Sequence, residues 1–156
     1  MSVSKNLKDF LDGKGVKYEM HQHPISYTAA ETAGNQHVPG KQFVKAVIIK
    51  ADGKYSMCVL SAANLLDFDK LKDEIGAEEM RLATEDELSQ LFPDYELGAE
   101  PPFGNMHGLN VYADSELEEN NDIWFNGGTH TDTVKILFND YKRLAKPEFR
   151  NFTKHI

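Results

Sequence analysis

Between Gln42 and Ser61 the chain reads QFVKAVIIKADGKYSMCVLS, two apolar runs joined by Ala51-Asp52-Gly53-Lys54. An Asp-Gly pair between β-prone runs predicts a hairpin. In the first run Val44, Ala46 and Ile48 fall on one face, and Lys45, Val47 and Ile49 on the other. Both faces are apolar, which predicts a central strand covered on both sides. Lys45 interrupts the second row. Lysine is costly to desolvate, so this position calls for a partner, a cleft or a strand end near water; a snorkelling side chain at a sheet margin is the plain alternative.

The same patterning lays out the rest of the chain. Leu7, Phe10 and Leu11 at helical spacing predict a helix over 4–11, stopped by Gly13 and Gly15. A short strand over 16–20 ends at His21-Gln22-His23-Pro24, because a residue before proline is pushed to extended geometry. Thr28-Ala29-Ala30-Glu31 and Thr84-Glu85-Asp86-Glu87 are capping boxes, predicting helices to about Gly34 and Phe92. Another helix is expected over 69–75, before Gly76, and a last one over 140–146, closed by Pro147. Strands are expected over 109–113, 123–125 and 133–138. The GAEPPFG stretch, Gly98 to Gly104, reads as a rigid exposed loop, and Asn126-Gly127-Gly128-Thr129-His130 as a second glycine loop. Interleaved strands and helices predict an α+β fold, a mixed sheet with helices packed around it.

Composition narrows the class. A chain of 156 residues with 40% hydrophobic and 27% charged positions is expected to form one globular domain, 1–156. No apolar run approaches the roughly 20 residues that cross a bilayer, and MSVSKNLKDFLDGKG lacks the apolar core of a signal peptide. With Cys58 as its one cysteine, expected to be a small buried hydrophobe, the chain is expected in a reducing cytoplasm, with no membrane partner. A net charge of −8 argues against binding DNA or other long nucleic acid, yet leaves room for reading an RNA end through a small pocket. Charge is uneven: ELEENND over 116–122 is acidic, whereas the stretch after Lys135 is basic, with Lys142, Arg143, Lys146, Arg150 and Lys154.

Walker, GxGxxG, HExxH, CxxC and GxSxG signatures are all missing, which disfavours NTPases, Rossmann enzymes, zinc proteases and α/β serine hydrolases. His21 and His23 alternate on extended chain and could share a metal with a third ligand, but two histidines beside a proline are more often loop residues. Three features could converge instead: Lys45, the GAEPPFG loop, and Gly127 to His130. Glycine loops leave backbone N–H groups free for an anion or oxyanion, and a lysine cation with a histidine would complete a site for an anionic or carbonyl substrate. Taken singly, each loop is more often a tight turn.

The order of TAAETAG, FVKAVIIK, CVLSAANLLDFDKLKDEIGAEEMRLATEDEL, GAEPPFG and IWFNGGTHTDTVKI resembles the YbaK / prolyl-tRNA-synthetase-associated editing family. These stretches cover most of the chain from Tyr27 to Ile136. The resemblance implies a mixed, strongly curved sheet with helices around it and a pocket for an aminoacylated terminal adenosine. Lys45 matches the family lysine that contacts the tRNA 3′ end. Gly98 and Pro102 match the loop that shapes the amino-acid pocket, to which Thr28, Pro101 and Gly104 are added as substrate-binding positions. Gly127, Gly128 and Thr129 match the second loop, and His130 resembles the histidine of alanine-editing members; Lys45, Gly128 and His130 are the expected catalytic set.

The implied activity is hydrolysis of a mischarged small amino acid, alanine first, from tRNA, with tRNA for proline the expected carrier. Members of this kind use a water and the substrate's own ribose hydroxyl, and an activated ester lets positioning and carbonyl polarisation supply much of the rate. No metal or organic cofactor is implied. The implied partners are the acceptor end of aminoacyl-tRNA, contacted in part by the basic C-terminal stretch, and an aminoacyl-tRNA synthetase in transient association. Ala46 departs from the threonine or asparagine of many members. That departure keeps a rival reading open, a non-catalytic module of the same fold that binds an aminoacyl, nucleotide or protein ligand.

Overall fold

The computed structural model describes residues 4–155. In chain order the elements are α1 (Lys5–Gly13), β1 (Tyr18–Gln22), α2 (Ala29–Asn35), β2 (Val44–Ala51), β3 (Lys54–Ser61), β4 (Asn64–Leu66), α3 (Phe68–Ile75), β5 (Met80–Leu82), α4 (Glu85–Leu91), β6 (Asn110–Asp114), β7 (Asp122–Asn126), β8 (Asp132–Leu137), α5 (Phe138–Ala145), β9 (Glu148–Arg150) and β10 (Thr153–His155). The strands form a five-stranded sheet ordered β5-β2-β3-β6-β9, a three-stranded sheet β1-β8-β7, and a β10-β4 pair. The β3–β6 and β6–β9 pairings are parallel and the others antiparallel, so the expected mixed α+β architecture holds. It is divided among separate ladders rather than carried by one sheet.

The β2–β3 hairpin is the frame. Its turn places Asp52 at φ 48° and Gly53 at φ 83°, the left-handed pair that matches strand twist in a two-residue hairpin. The Asp52 carboxylate accepts the amides of Glu78 (3.1 Å) and Glu79 (2.9 Å), tying the turn to the approach to β5. As the alternation predicts, β2 is covered on both sides. Val44 and Ile48 enter the main core with Leu7, Phe103, Phe125 and Tyr141, whereas Ile49 packs with Cys58, Leu60, Leu71 and Phe152. Ala46 packs toward the main core, on the row opposite Lys45.

Local signals set several boundaries. The Thr84 hydroxyl accepts from Glu87 N, and the Glu87 side chain returns the bond to Thr84 N, a complete capping box. Gly76 closes α3 at φ 68°. Four short strands, β4, β5, β9 and β10, were not expected: each has three residues and exists by pairing with a distant partner, as Thr153–His155 does with Asn64–Leu66. The helix expected over 140–146 begins at Phe138, because Phe138 and Tyr141 are drawn into the core.

One expectation is overturned. GAEPPFG is not an exposed loop: Ala99 to Gly104 are all buried. The Pro102 carbonyl accepts the Tyr141 hydroxyl at 2.9 Å, and the Phe103 ring lies 5.3–5.5 Å from those of Phe10, Phe125 and Tyr141. Two adjacent prolines carry no N–H to satisfy, so this segment is buried at small polar cost.

Candidate active site

Lys45 is placed by strand register. Phe43 and Trp124 form a parallel bridge, and their side chains meet in one apolar cluster with Ala29 and Ala33 of α2. Two residues further along each strand are Lys45 and Asn126, on that same face. Across the three-stranded sheet Asn126 pairs with Thr133, which pairs with His21. Lys45, Asn126, Thr133 and His21 therefore form a row on the face over which α2 lies. Lys45 is half-buried, desolvation holds its pKa below the ordinary lysine value, and no hydrogen bond or ion pair engages it among the described residues. Asn126 Oδ1 is likewise enclosed without a partner. An unpaired cation and an unpaired amide oxygen on neighbouring strands, facing the same way, form a polar floor that protein groups do not complete.

The two glycine loops converge, although most of their amides are not free. Gly128 donates to the Ala99 carbonyl at 3.1 Å and accepts from Glu96 N at 2.8 Å. Gly127 donates to Asp132 O at 3.0 Å, His130 N to Glu96 Oε1 at 2.6 Å, and Gly98 N to Glu100 Oε2 at 2.7 Å. Of these donors, the Gly128 and His130 amides join the two loops, whereas the Gly127 and Gly98 amides close turns within their own. Tight turns bring these amides within reach of carbonyls, and enclosed amides take protein acceptors where they can.

His130 sits in this junction, 7% exposed. Its Nε2 lies 2.6 Å from the Leu97 carbonyl and its ring centroid 4.9 Å from that of Tyr27. A carbonyl only accepts, so Nε2 carries a proton, and in the tautomer with that single proton Nδ1 is the ring's acceptor. Gly98, at φ 85°, faces the ring: a Cβ there would stand 3.6 Å from His130 Cε1. Gly98, Gly128 and His130 thus meet in one junction, and the loop that carries Gly128 and His130 begins at Asn126, the residue in register with Lys45.

Other expected positions serve the scaffold. The Thr28 hydroxyl caps α2, accepting Glu31 N at 3.1 Å. Thr129 is 2% exposed, donates to Asp132 Oδ2 at 2.6 Å and accepts the Asp132 amide at 3.1 Å. Gly104 packs on Met57 and Leu109, where a Cβ would meet Met57 Cβ at 3.1 Å. Pro101 and Pro102 are buried. In the basic stretch Arg143 pairs with Asp140, Arg150 with Glu148 and Lys142 with Glu118.

Sequence reasoning gave four groups no place in the substrate site. Glu96 and Glu100 lock the loops, and burial raises the Glu100 pKa above the usual carboxylate range. Asn126 and His23 carry enclosed unpartnered atoms. The acid inside GAEPPFG was the one available signal for Glu100; His23 was noticed only as half of a metal pair. Among the described residues no cluster of three His, Cys, Asp or Glu side chains is arranged to hold a metal.

Comparison with known proteins decides the lineage. The profile of the aminoacyl-tRNA editing domain matches residues 23–144. The chain belongs to the aminoacyl-tRNA editing domain family. Within this editing family, the multifunctional Ser/Thr-tRNA deacylase ProXp-y of Escherichia coli K12 is 33% identical over 118 residues, covering 72% of this chain and 70% of the relative. A proline–tRNA ligase of Staphylococcus saprophyticus is 32% identical over 103 residues, 64% of this chain but 17% of the ligase. Solved structures show the same editing-domain fold. A candidate trans-editing enzyme for prolyl-tRNA synthetase superposes with TM-score 0.84 at 23% identity, covering 99% of both chains. The hypothetical protein APE2540 superposes at 0.86 and 18% identity, covering 96% of this chain and all of the other. The editing-family resemblance read from the motifs is correct.

Proposed function

We propose that this chain is an aminoacyl-tRNA deacylase that hydrolyses the ester of a small mischarged amino acid on tRNA, alanine first, with tRNA for proline as the carrier. The observation that carries this reading is Lys45 in an editing-family chain: an unpaired, half-buried cation in register with Asn126, the residue from which the His130 loop begins. In the reaction water adds to the ester carbonyl, the bond to the ribose oxygen breaks, and free amino acid and tRNA leave. Lys45 holds the anionic 3′ end. His130 Nδ1 offers an acceptor to the substrate's proton-bearing groups. The one thiol, Cys58, is fully buried and its pKa is pushed up to about 12, which suits a reaction without a protein nucleophile.

No helix among the described residues is long and apolar enough to cross a membrane. The reading includes a cytoplasmic location and transient association with an aminoacyl-tRNA synthetase. The test is a panel of alanyl, seryl, threonyl, cysteinyl and prolyl esters on one tRNA, seryl and threonyl being the esters in the Escherichia coli relative's name. Release of alanine ahead of bulkier residues, with prolyl ester spared, is expected. Binding of charged tRNA without release of any amino acid would replace the enzyme reading by the binding-module one.

A further inference from the structure

His23 is 8% exposed. Its Nδ1 lies 2.7 Å from the Pro24 carbonyl, which can only accept, so Nδ1 carries a proton, and in the tautomer with that single proton Nε2 is an acceptor. That Nε2 is enclosed and has no partner. A buried acceptor without a donor carries a desolvation cost, and native proteins keep few of them. The ring is also precisely placed in the fold. His23 N donates to Thr131 O at 2.9 Å, carrying the β1–β8 ladder one residue past Gln22, so His23 shares the face of His21. Its row lies next to the one holding Thr133, Asn126 and Lys45, and Ser26 N bonds His130 O at 3.3 Å.

We infer that His23 contacts the substrate: its Nε2, beside the Lys45–Asn126 floor and the His130 loop, accepts a hydrogen bond from the aminoacylated terminal nucleoside. This rests on the deacylase reading. Lys45 supplies a donor there, while Asn126 Oδ1 and His23 Nε2 supply two acceptors. The complement is a ligand with an acceptor such as a phosphate or carbonyl and at least one polarised donor. Two donors flank the ester of the aminoacyl nucleoside, the ribose 2′-hydroxyl and the α-ammonium, and it is one of these, not the 6-amino group of adenine, from which His23 accepts. Nε2 has no exposed surface, so the donor reaches it as neighbouring side chains yield; Ile25 and Tyr27, 60% and 68% exposed, are the freest on this segment.

The test is binding of three non-hydrolysable probes: the 3′-alanylamide of 3′-amino-3′-deoxyadenosine, its 2′-deoxy form, and the 3′-propionylamide that lacks the ammonium. Each is titrated against wild type, His23→Asn, which keeps a donor for the Pro24 carbonyl but has no Nε2, and His23→Gln, which restores a group at Nε2 reach. Loss of one hydrogen bond should weaken the first probe about tenfold in His23→Asn, with partial recovery in His23→Gln. The penalty should vanish for the probe lacking the contacted group, identifying the hydroxyl or the ammonium as donor. Wild-type affinity in a folded His23→Asn, or an equal penalty for all three probes, would make His23 a scaffold residue and overturn the inference. Charged-tRNA hydrolysis runs in parallel: an active wild type with an unaffected His23→Asn sinks only the contact, whereas a wild type that neither hydrolyses nor binds any probe sinks the deacylase reading as well.

Discussion

The amide of Gly128 donates to the carbonyl of Ala99 at 3.1 Å, so the glycine loop after β7 and the proline loop before β6 are one piece of structure. The neighbourhood of His130 is stiff because each loop satisfies the other's backbone. Stiffness there holds a reactive group within the narrow tolerance that positioning catalysis needs.

Gly128 is the residue on which this junction depends. At φ 95° it adopts a conformation that L side chains avoid, and a Cβ would stand 2.8 Å from Ser4 Cβ and 3.1 Å from Tyr95 Cδ1. Gly128→Ala should cost about 1–3 kcal/mol of stability through strain alone. Urea denaturation of the variant should show a lower midpoint with an unchanged slope; an unchanged midpoint would mean that the loop has room the geometry does not show.

Lys45 should separate activity from stability. Lys45→Ala should abolish deacylation with a Tm near wild type, and Lys45→Arg should not restore it fully, because a planar fork does not replace a compact ammonium. Desolvation lowers the Lys45 pKa, so between the folded value and the ordinary lysine value the unfolded chain binds more protons and stability from this group rises with pH. Wild type should therefore gain on Lys45→Met as pH increases toward 10.5, the ordinary lysine value. Parallel pH-dependent melts of the two proteins would check the sign.

Glu100 is 7% exposed and takes the Gly98 amide at 2.7 Å, while burial raises its pKa. For a carboxyl shifted upward, the folded state binds more protons than the unfolded one between 4.5 and the folded value, so its contribution declines as pH rises through that window. Glu100→Gln keeps an acceptor for Gly98 without the buried charge and should match or exceed wild-type stability at neutral pH. Glu100→Ala should lose about 1–3 kcal/mol by leaving the Gly98 amide unpaired. Chemical denaturation at pH 7 should rank the three proteins in that order.

Cys58 should be silent in the native state. It is fully buried, and burial pushes its thiol up to about 12. A thiol reagent at pH 8 should label it only after denaturant unfolds the chain, and labelling of native protein at the rate of free cysteine would contradict its burial.

Much of this molecule was written in local pattern. The Asp52-Gly53 turn, the two-faced apolar strand after Phe43, the Thr84 capping box and the Gly76 stop each depend on a few adjacent residues, so the elements they define could be read directly. Family membership was equally legible, because motif order survives where single motifs are weak.

Tertiary structure decided what those motifs do. Three-residue strands such as Thr153–His155 form only because a distant edge satisfies their backbone, a signal with no local trace. The prolines of GAEPPFG looked like an exposed loop until Tyr141, 39 residues away, supplied a donor and Phe103 a place in the core. Glycines at 127 and 128 promised free amides, yet whether an amide is free depends on which carbonyl the fold brings opposite it. Sequence alone marked Lys45 as a cation in an apolar row. That it stands unpaired in register with Asn126, one row from a histidine with an unpartnered ring nitrogen, is a consequence of β-strand register, set by long-range pairing.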